Sequence, residues 1–417
     1  MTDDRAEVHT TVRLFVGKGG VGKTTLAVKA ALDLARSGRR ALVVSFDQAH
    51  SLGDVLALPS RRSDLSDAMT VDAGLDALEL NTLELVATRY AKLTNLLSMT
   101  GAGHEHGVRF GAVDPEEIVG APGVQELLGL HRIVELVDEK RWDTVFVDFP
   151  ATADAVRSLQ LPDLVGGYLE RLWPQHDRIV AGTGTDPRLT VLVAMIESVV
   201  SGADRVRTLL FDRQRTSVAV VLTPDRVGLA ETRRTLSAAA LTGLPLDTVM
   251  VNKVLPTLNS ASVGLVGAHP AVFWFEAWRS AQQDVMAEIE IMAAGRSLVV
   301  VEQTSAEPVG LSGLGALAPR FDASHASEYV GEDGPTVVHE SGTGLESIYT
   351  MTMVLPLVDP STLTLGRVED DMIVGADGVR RRVHLASVLR RCIVVGADFE
   401  AGSLVVRFRP DASVWPV

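Results

Sequence analysis

The chain has 417 residues, 46% hydrophobic and 22% charged, which is ordinary globular composition and enough for two or three domains. Its formal net charge of −14 argues against a general nucleic-acid binder. One cysteine, Cys392, excludes intramolecular disulfides and any multi-cysteine zinc or iron–sulfur site within one chain. Met1–Thr10 is polar and lacks the basic start and apolar core of a signal peptide. The most apolar window, Leu189–Val200, is too short for a bilayer and is interrupted by Glu197, so a cytoplasmic protein is expected.

Taken in order, Thr11–Val16 is a short apolar run suited to a buried strand. Gly17-Lys18-Gly19-Gly20-Val21-Gly22-Lys23-Thr24-Thr25 follows and satisfies G-x-x-x-x-G-K-[ST] through Gly17, Gly22, Lys23 and Thr24. Thr24–Arg36 then places Leu26, Ala27, Ala30, Ala31, Leu34 and Ala35 at helical spacing, so the loop joins a strand to a helix. Apolar runs at Ala41–Phe46, Thr144–Asp148, Ser217–Thr223, Thr248–Asn252 and Leu298–Glu302 read as buried parallel strands. Helical patterns such as Val124–Glu139 and Leu229–Leu241 lie between them. This alternation predicts an α/β fold with a doubly wound, mostly parallel sheet. Ligands bind such sheets at the carboxyl ends of the strands, where Asp47, Asp148 and Asn252 fall.

Helical inserts are expected at about 82–117 and 161–212, packed as a subdomain beside the nucleotide site. In the second, Leu161, Leu164, Val165, Tyr168, Leu169 and Leu172 form one apolar stripe, and Leu192, Met195, Ile196 and Val199 form another. Beyond an α/β domain over 1–322, a polar linker is expected at 323–344. Residues 345–417 then read as a small all-β sandwich or barrel, from short runs at Ile348–Leu355, Thr362–Val368, Met372–Val374, Val379–Leu385, Cys392–Val395 and Leu404–Phe408.

The glycine-rich loop carries the chemistry. Its glycines let backbone N–H groups turn inward to cradle phosphate oxygens, through Gly17, Gly19, Gly20, Val21 and Gly22 to Thr25. Lys23 supplies a point charge at the β/γ-phosphates and the Thr24 hydroxyl a ligand for Mg²⁺. ATP and Mg²⁺ are therefore the expected cofactors. Only six lysines occur in the chain, and Lys18 and Lys23 share this loop.

The early lysine, Lys18, resembles the deviant phosphate loop of the MinD/ParA/nitrogenase-iron-protein class. Asp47-Gln48-Ala49-His50-Ser51-Leu52 resembles the D-P-A-H-S-L segment of the ArsA arsenite-pump ATPases and the Get/TRC-type tail-anchored-protein targeting ATPases. Asp148–Arg157 resembles their D-x-A-P-T-G-H-T-L-R switch. Leu161-Pro162, Thr223-Pro224, Glu231–Arg234, Val251–Pro256 and Glu307–Leu311 fit the same pattern, which spans about residues 11–320. Tyr349–Phe408 resembles the α-crystallin-like domain fused to some ArsA-like ATPases, on Leu355-Pro356, Arg380-Arg381-Arg382 and the strand pattern.

The resemblance implies a homodimeric ATPase in which Lys18 reaches the partner's nucleotide, acting as an arginine finger does. Asp47 matches the residue that positions or deprotonates the attacking water, Asp148 the acid that holds Mg²⁺ through water, and Asn252 the adenine-reading amide. Pro308 falls where the family's adenine-side loop lies.

Departures bear on the cargo and the rate. Gln48 replaces a proline, Ala153 the switch glycine and Asp154 the following histidine, changes that can slow hydrolysis. Cys392 alone cannot form a thiolate metalloid site, the C-x-x-C zinc pair is absent, and His104 and His106 read as solvated loop residues. Three functions stay open. One is a chaperone or targeting factor holding a hydrophobic protein helix or lipid-like ligand. Another is the energising subunit of an anion or metalloid exporter with a membrane partner. The third is a slow-hydrolysing nucleotide-dependent scaffold.

Overall fold

A computed structural model gives the fold. It describes residues 9–46, 51–58, 67–82, 84–89, 91, 123–183, 187–258, 269–318 and 334–415. Two compact units are present, Met1–Ser217 with Thr304–Ser324 and Val218–Gln303 with His325–Val417.

In the first unit, β1 (Thr11–Gly17) feeds α1 (Lys23–Arg36), and β2 (Ala41–Ser45) leads towards α2 (Ser51–Val55). β3 (Met69–Asp72) and β4 (Leu75–Glu79) form an antiparallel edge. α3 (Val124–Asp138) precedes β5 (Thr144–Ala151). The strands run in the order β3-β4-β2-β5-β1, and β4, β2, β5 and β1 are parallel. Near-continuous apolar runs make these strands because helices cover both faces of such a sheet. Leu14, Phe15, Val43, Val44, Phe146 and Val147 are all buried. β5 therefore sits between β1 and β2, and its Asp148 lies in register with Phe15 and Ser45.

Three helices follow β5 directly: α4 (Thr152–Leu172), α5 (Gln175–Gly182) and α6 (Pro187–Phe211). α3 packs on α4 and α6, and α5 on α6. Arg178 is buried among them, donating to Glu197 at 2.6 Å and to the Trp173 carbonyl, with Glu170 at 3.3 Å. Burying a guanidinium is tolerable only with such partners. Glu197, through that hydrogen bond first, holds the Arg178 pKa above its ordinary value.

In the second unit, β6 (Thr216–Leu222), β7 (Leu246–Val254) and β8 (Ser297–Glu302) are parallel in that order, with α7 (Arg226–Thr242) and α8 (Pro270–Met292) between them. α7 starts on an N-cap, Asp225, whose carboxylate accepts from Gly228 N–H at 2.8 Å, and it ends at Gly243 in the left-handed region. The remaining described strands are antiparallel. β9 (Thr336–Ser341), β10 (Ile348–Val354), β14 (Cys392–Glu400) and β15 (Ser403–Pro410) form a sheet ordered β14-β15-β10-β9. β11 (Thr364–Val368), β12 (Asp371–Ala376) and β13 (Val379–His384) form a second. Met351, Met353, Val374, Leu404, Val406 and Phe408 share one core between the sheets, which makes this the all-β part.

One expectation is corrected here. Residues 323–344 read as linker, yet β9 lies within them and pairs with β10, placing Val338 opposite Thr350. Flanking polar and glycine residues masked its short β-branched run. The β domain is also tied to α7: Ser237 donates to Asp377 at 2.6 Å, Arg381 donates to the Leu241 carbonyl at 2.8 Å, and Leu241 joins the β core.

Candidate functional site

The loop from Gly17 to Lys23 turns through two left-handed glycines, Gly20 at φ +79° and Gly22 at φ +94°. A side chain would be strained at both. A Cβ built on Gly19 or Gly20 would meet nothing within 4 Å, so open space lies over the loop where phosphate oxygens would sit. α1 begins immediately afterwards with no side chain capping it. An uncapped helix start offers backbone N–H groups and a positive dipole end to an anion.

Val21 is buried and anchors the loop, Lys18 is exposed, and Lys23, Thr24 and Thr25 are half-buried. The Lys23 ammonium donates to the Lys18 carbonyl at 3.2 Å, folding the side chain back along its own loop. Asp148 is fully buried and accepts from the Thr24 hydroxyl at 2.5 Å. Ser51 closes the group from α2, its hydroxyl 3.2 Å from that of Thr24. Hydroxyl and carboxylate oxygens are the donors Mg²⁺ takes, so the set fits that ion. Thr24 and Asp148 would hold it, with Ser51 at the same position.

Several supporting residues carried no motif. Glu79, buried at the end of β4, accepts from Gly53 N–H at 3.1 Å and holds α2 near Thr24. Ser51 lies inside the Asp47–Leu52 segment, but nothing in that segment alone assigns it a role. Asp47, Gln48, His104 and His106 lie outside the described residues. Thr152, Ala153 and Asp154 begin α4.

Pro308 is half-buried just before α9 (Gly310–Ala316), which packs on α1. Gly313 allows the turn, since a Cβ there would lie 3.3 Å from the Pro308 backbone. In the second unit, Asn252 is buried near the end of β7, and its amide oxygen accepts from Lys253 N–H at 2.9 Å. Gln282 of α8 clamps that strand end. Its amide accepts from Leu255 N–H at 2.8 Å and donates to the Lys253 carbonyl at 3.2 Å.

A phosphate loop between strand and helix, backed by a buried acid from an adjacent parallel strand, defines the phosphate-loop nucleotide-binding class. Comparison with known proteins narrows it. The profile of the anion-transporting ATPases, ArsA_ATPase, matches residues 10–321, and that of the HSP20-like domain found in ArsA matches 346–408. Protein Rv2184c of Mycobacterium tuberculosis is 42% identical over 100% of both chains. The putative arsenical pump-driving ATPase 1 of Aquifex aeolicus is 25% identical over 94% of this chain and 98% of its own. ATPase GET3C of Arabidopsis thaliana is 25% identical over 59% of this chain and 68% of its own. The chain belongs to the ArsA ATPase family, with a C-terminal HSP20-like domain.

Proposed function

We propose that this chain binds and hydrolyses ATP, that it does so as a homodimer, and that the cycle opens and closes a site for an apolar protein helix or lipid-like ligand. The observation that carries the enzymatic part is the meeting of Thr24, Ser51 and buried Asp148 beneath an open glycine cradle. Bound Mg²⁺ would neutralise charge on the β/γ-phosphates. Lys23 would bind the phosphates, and Asp47 would orient the attacking water as a general base. Exposed Lys18 is free to serve a neighbouring copy while its carbonyl steadies Lys23.

The client reading is supported by apolar residues left at the surface of the helices after β5. Tyr168, Leu172, Ile179, Val180 and Val199 are all exposed. A metalloid cargo has less support, because Cys392 is buried and burial pushes its thiol pKa up against the opposing pull of Arg367. No described helix is long and apolar enough to cross a membrane, so an export role would need a separate membrane partner.

The test is capture from cells with Asp47→Asn, which should bind ATP without turning it over. Recovery of apolar-helix proteins or lipid, absent with Leu172→Ser, supports the reading. Stimulation of wild-type turnover by arsenite or antimonite would replace it with the exporter reading.

A further inference from the structure

Phe46 and Phe149 flank the site in sequence, Phe46 immediately before Asp47 and Phe149 immediately after Asp148. Their rings stack at 4.9 Å between centroids with 18° between planes, and both are buried. Phe46 N–H also donates to the Asp148 carbonyl at 2.9 Å, so backbone and rings join the two strand ends. Successive strand residues face opposite sides of a sheet. While Asp148 faces Thr24, Phe149 therefore faces away from it.

The Phe46 ring ends on Gly129, in the middle of α3. A Cβ there would come within 2.2 Å of Phe46 Cζ and within 2.9 Å of both Cε atoms. Glycine inside a helix is unfavourable in itself. At this position it is the residue that admits the ring. α3 in turn packs on α4 and α6, the helices with exposed apolar residues.

We infer that Phe46, Phe149 and Gly129 are positioning residues: they hold the carboxyl ends of β2 and β5, Asp148 among them, in one register with α3, so that nucleotide at the loop is felt on α3. The inference rests on the nucleotide-binding reading above. A close-packed core yields in steps rather than continuously, so a shift of the strand ends reaches α3 through this ring.

The test compares wild type, Gly129→Ala, Phe46→Leu and the double variant by hydrogen exchange of residues 124–138, with and without Mg²⁺-ATP, and by steady-state turnover. Phe46→Leu removes the ring atoms that the added methyl would meet. Nucleotide should slow α3 exchange about tenfold in wild type and less than about twofold in Gly129→Ala. In Gly129→Ala, kcat should fall about tenfold or more while KM stays within about threefold. The double variant, freed of the clash, should regain wild-type α3 exchange in the absence of nucleotide but still lack most of the nucleotide response, because the ring is gone; a merely structural role would restore both.

Wild-type behaviour of Gly129→Ala, or a double variant with the full wild-type α3 response to nucleotide, overturns the inference. If Gly129→Ala does not fold, Phe46→Leu and Phe149→Leu carry the test, and a full α3 response with unchanged kcat in both overturns it. A wild-type chain that binds no nucleotide would sink the underlying reading. One that binds it without any change on α3 sinks this inference alone.

Discussion

The strand ends around the phosphate loop and the helices from Thr152 to Phe211 use apolar residues in opposite ways. At the loop, Leu14, Phe15, Val147 and Phe149 are essentially inaccessible, and the polar groups that remain aim inward at one another. On the helices, Leu172 is 80% exposed and Tyr168 58% exposed, while a charged group, Arg178, is buried as fully as apolar ones such as Val206 and Leu210. The first region fixes its polar groups against one another. The second leaves apolar surface uncovered, the usual sign of a surface that meets something else. An apolar stripe in a sequence thus marks a helix face without saying whether this chain covers it.

Four changes break or sharpen that contrast. Lys23→Ala should have the largest effect, lowering turnover by at least about a hundredfold by removing a charge at the transferring phosphate, with the fold unchanged. Filter-binding and phosphate-release assays check it, and full activity would move the site elsewhere. Arg178→Ala should destabilise the helices by about 2 kcal/mol, since it leaves a cavity and takes the donor from the Trp173 carbonyl. Thermal melting should detect this, with nucleotide binding at the loop retained.

His131 gives a pH effect. Burial, then Arg89, lowers its pKa below the ordinary value despite Glu135 nearby. A histidine depressed in the folded state binds its proton more readily when unfolded, so stability should fall as pH drops below about 6.5. His131→Gln should flatten that slope in acid-melting curves. Glu135 stays charged in the same range, because Arg89 and Arg132 outweigh the burial that would raise its pKa. The smallest expected effect on stability is that of Leu172→Ser, within about 0.5 kcal/mol, although binding of an apolar peptide should weaken.

The sequence made the loop legible because its function depends on local spacing. Gly17, Gly22, Lys23 and Thr24 would need to be close in the chain to wrap one phosphate as proposed. Asp148 was legible as an acid ending an apolar run. Ser51, Glu79 and Gln282 were not, because each matters through a contact made by folding, and none stands in a pattern with its partner. Gly129 was hidden for the same reason: inside a helical stretch a glycine signals only a weak spot until Phe46 arrives from β2. β9 was lost in a segment whose glycine and polar content outweighed four β-compatible residues, Thr336, Val337, Val338 and His339.

Thr24 and Asp148 are proposed to hold the metal for ATP hydrolysis at this loop. The most direct measurement is phosphate release from ATP by wild type and Asp148→Asn across a Mg²⁺ titration. Wild type should release phosphate in a Mg²⁺-dependent manner, and the variant at a rate at least about tenfold lower that added Mg²⁺ only partly restores. Identical Mg²⁺ dependence and identical rates in the two proteins would contradict it.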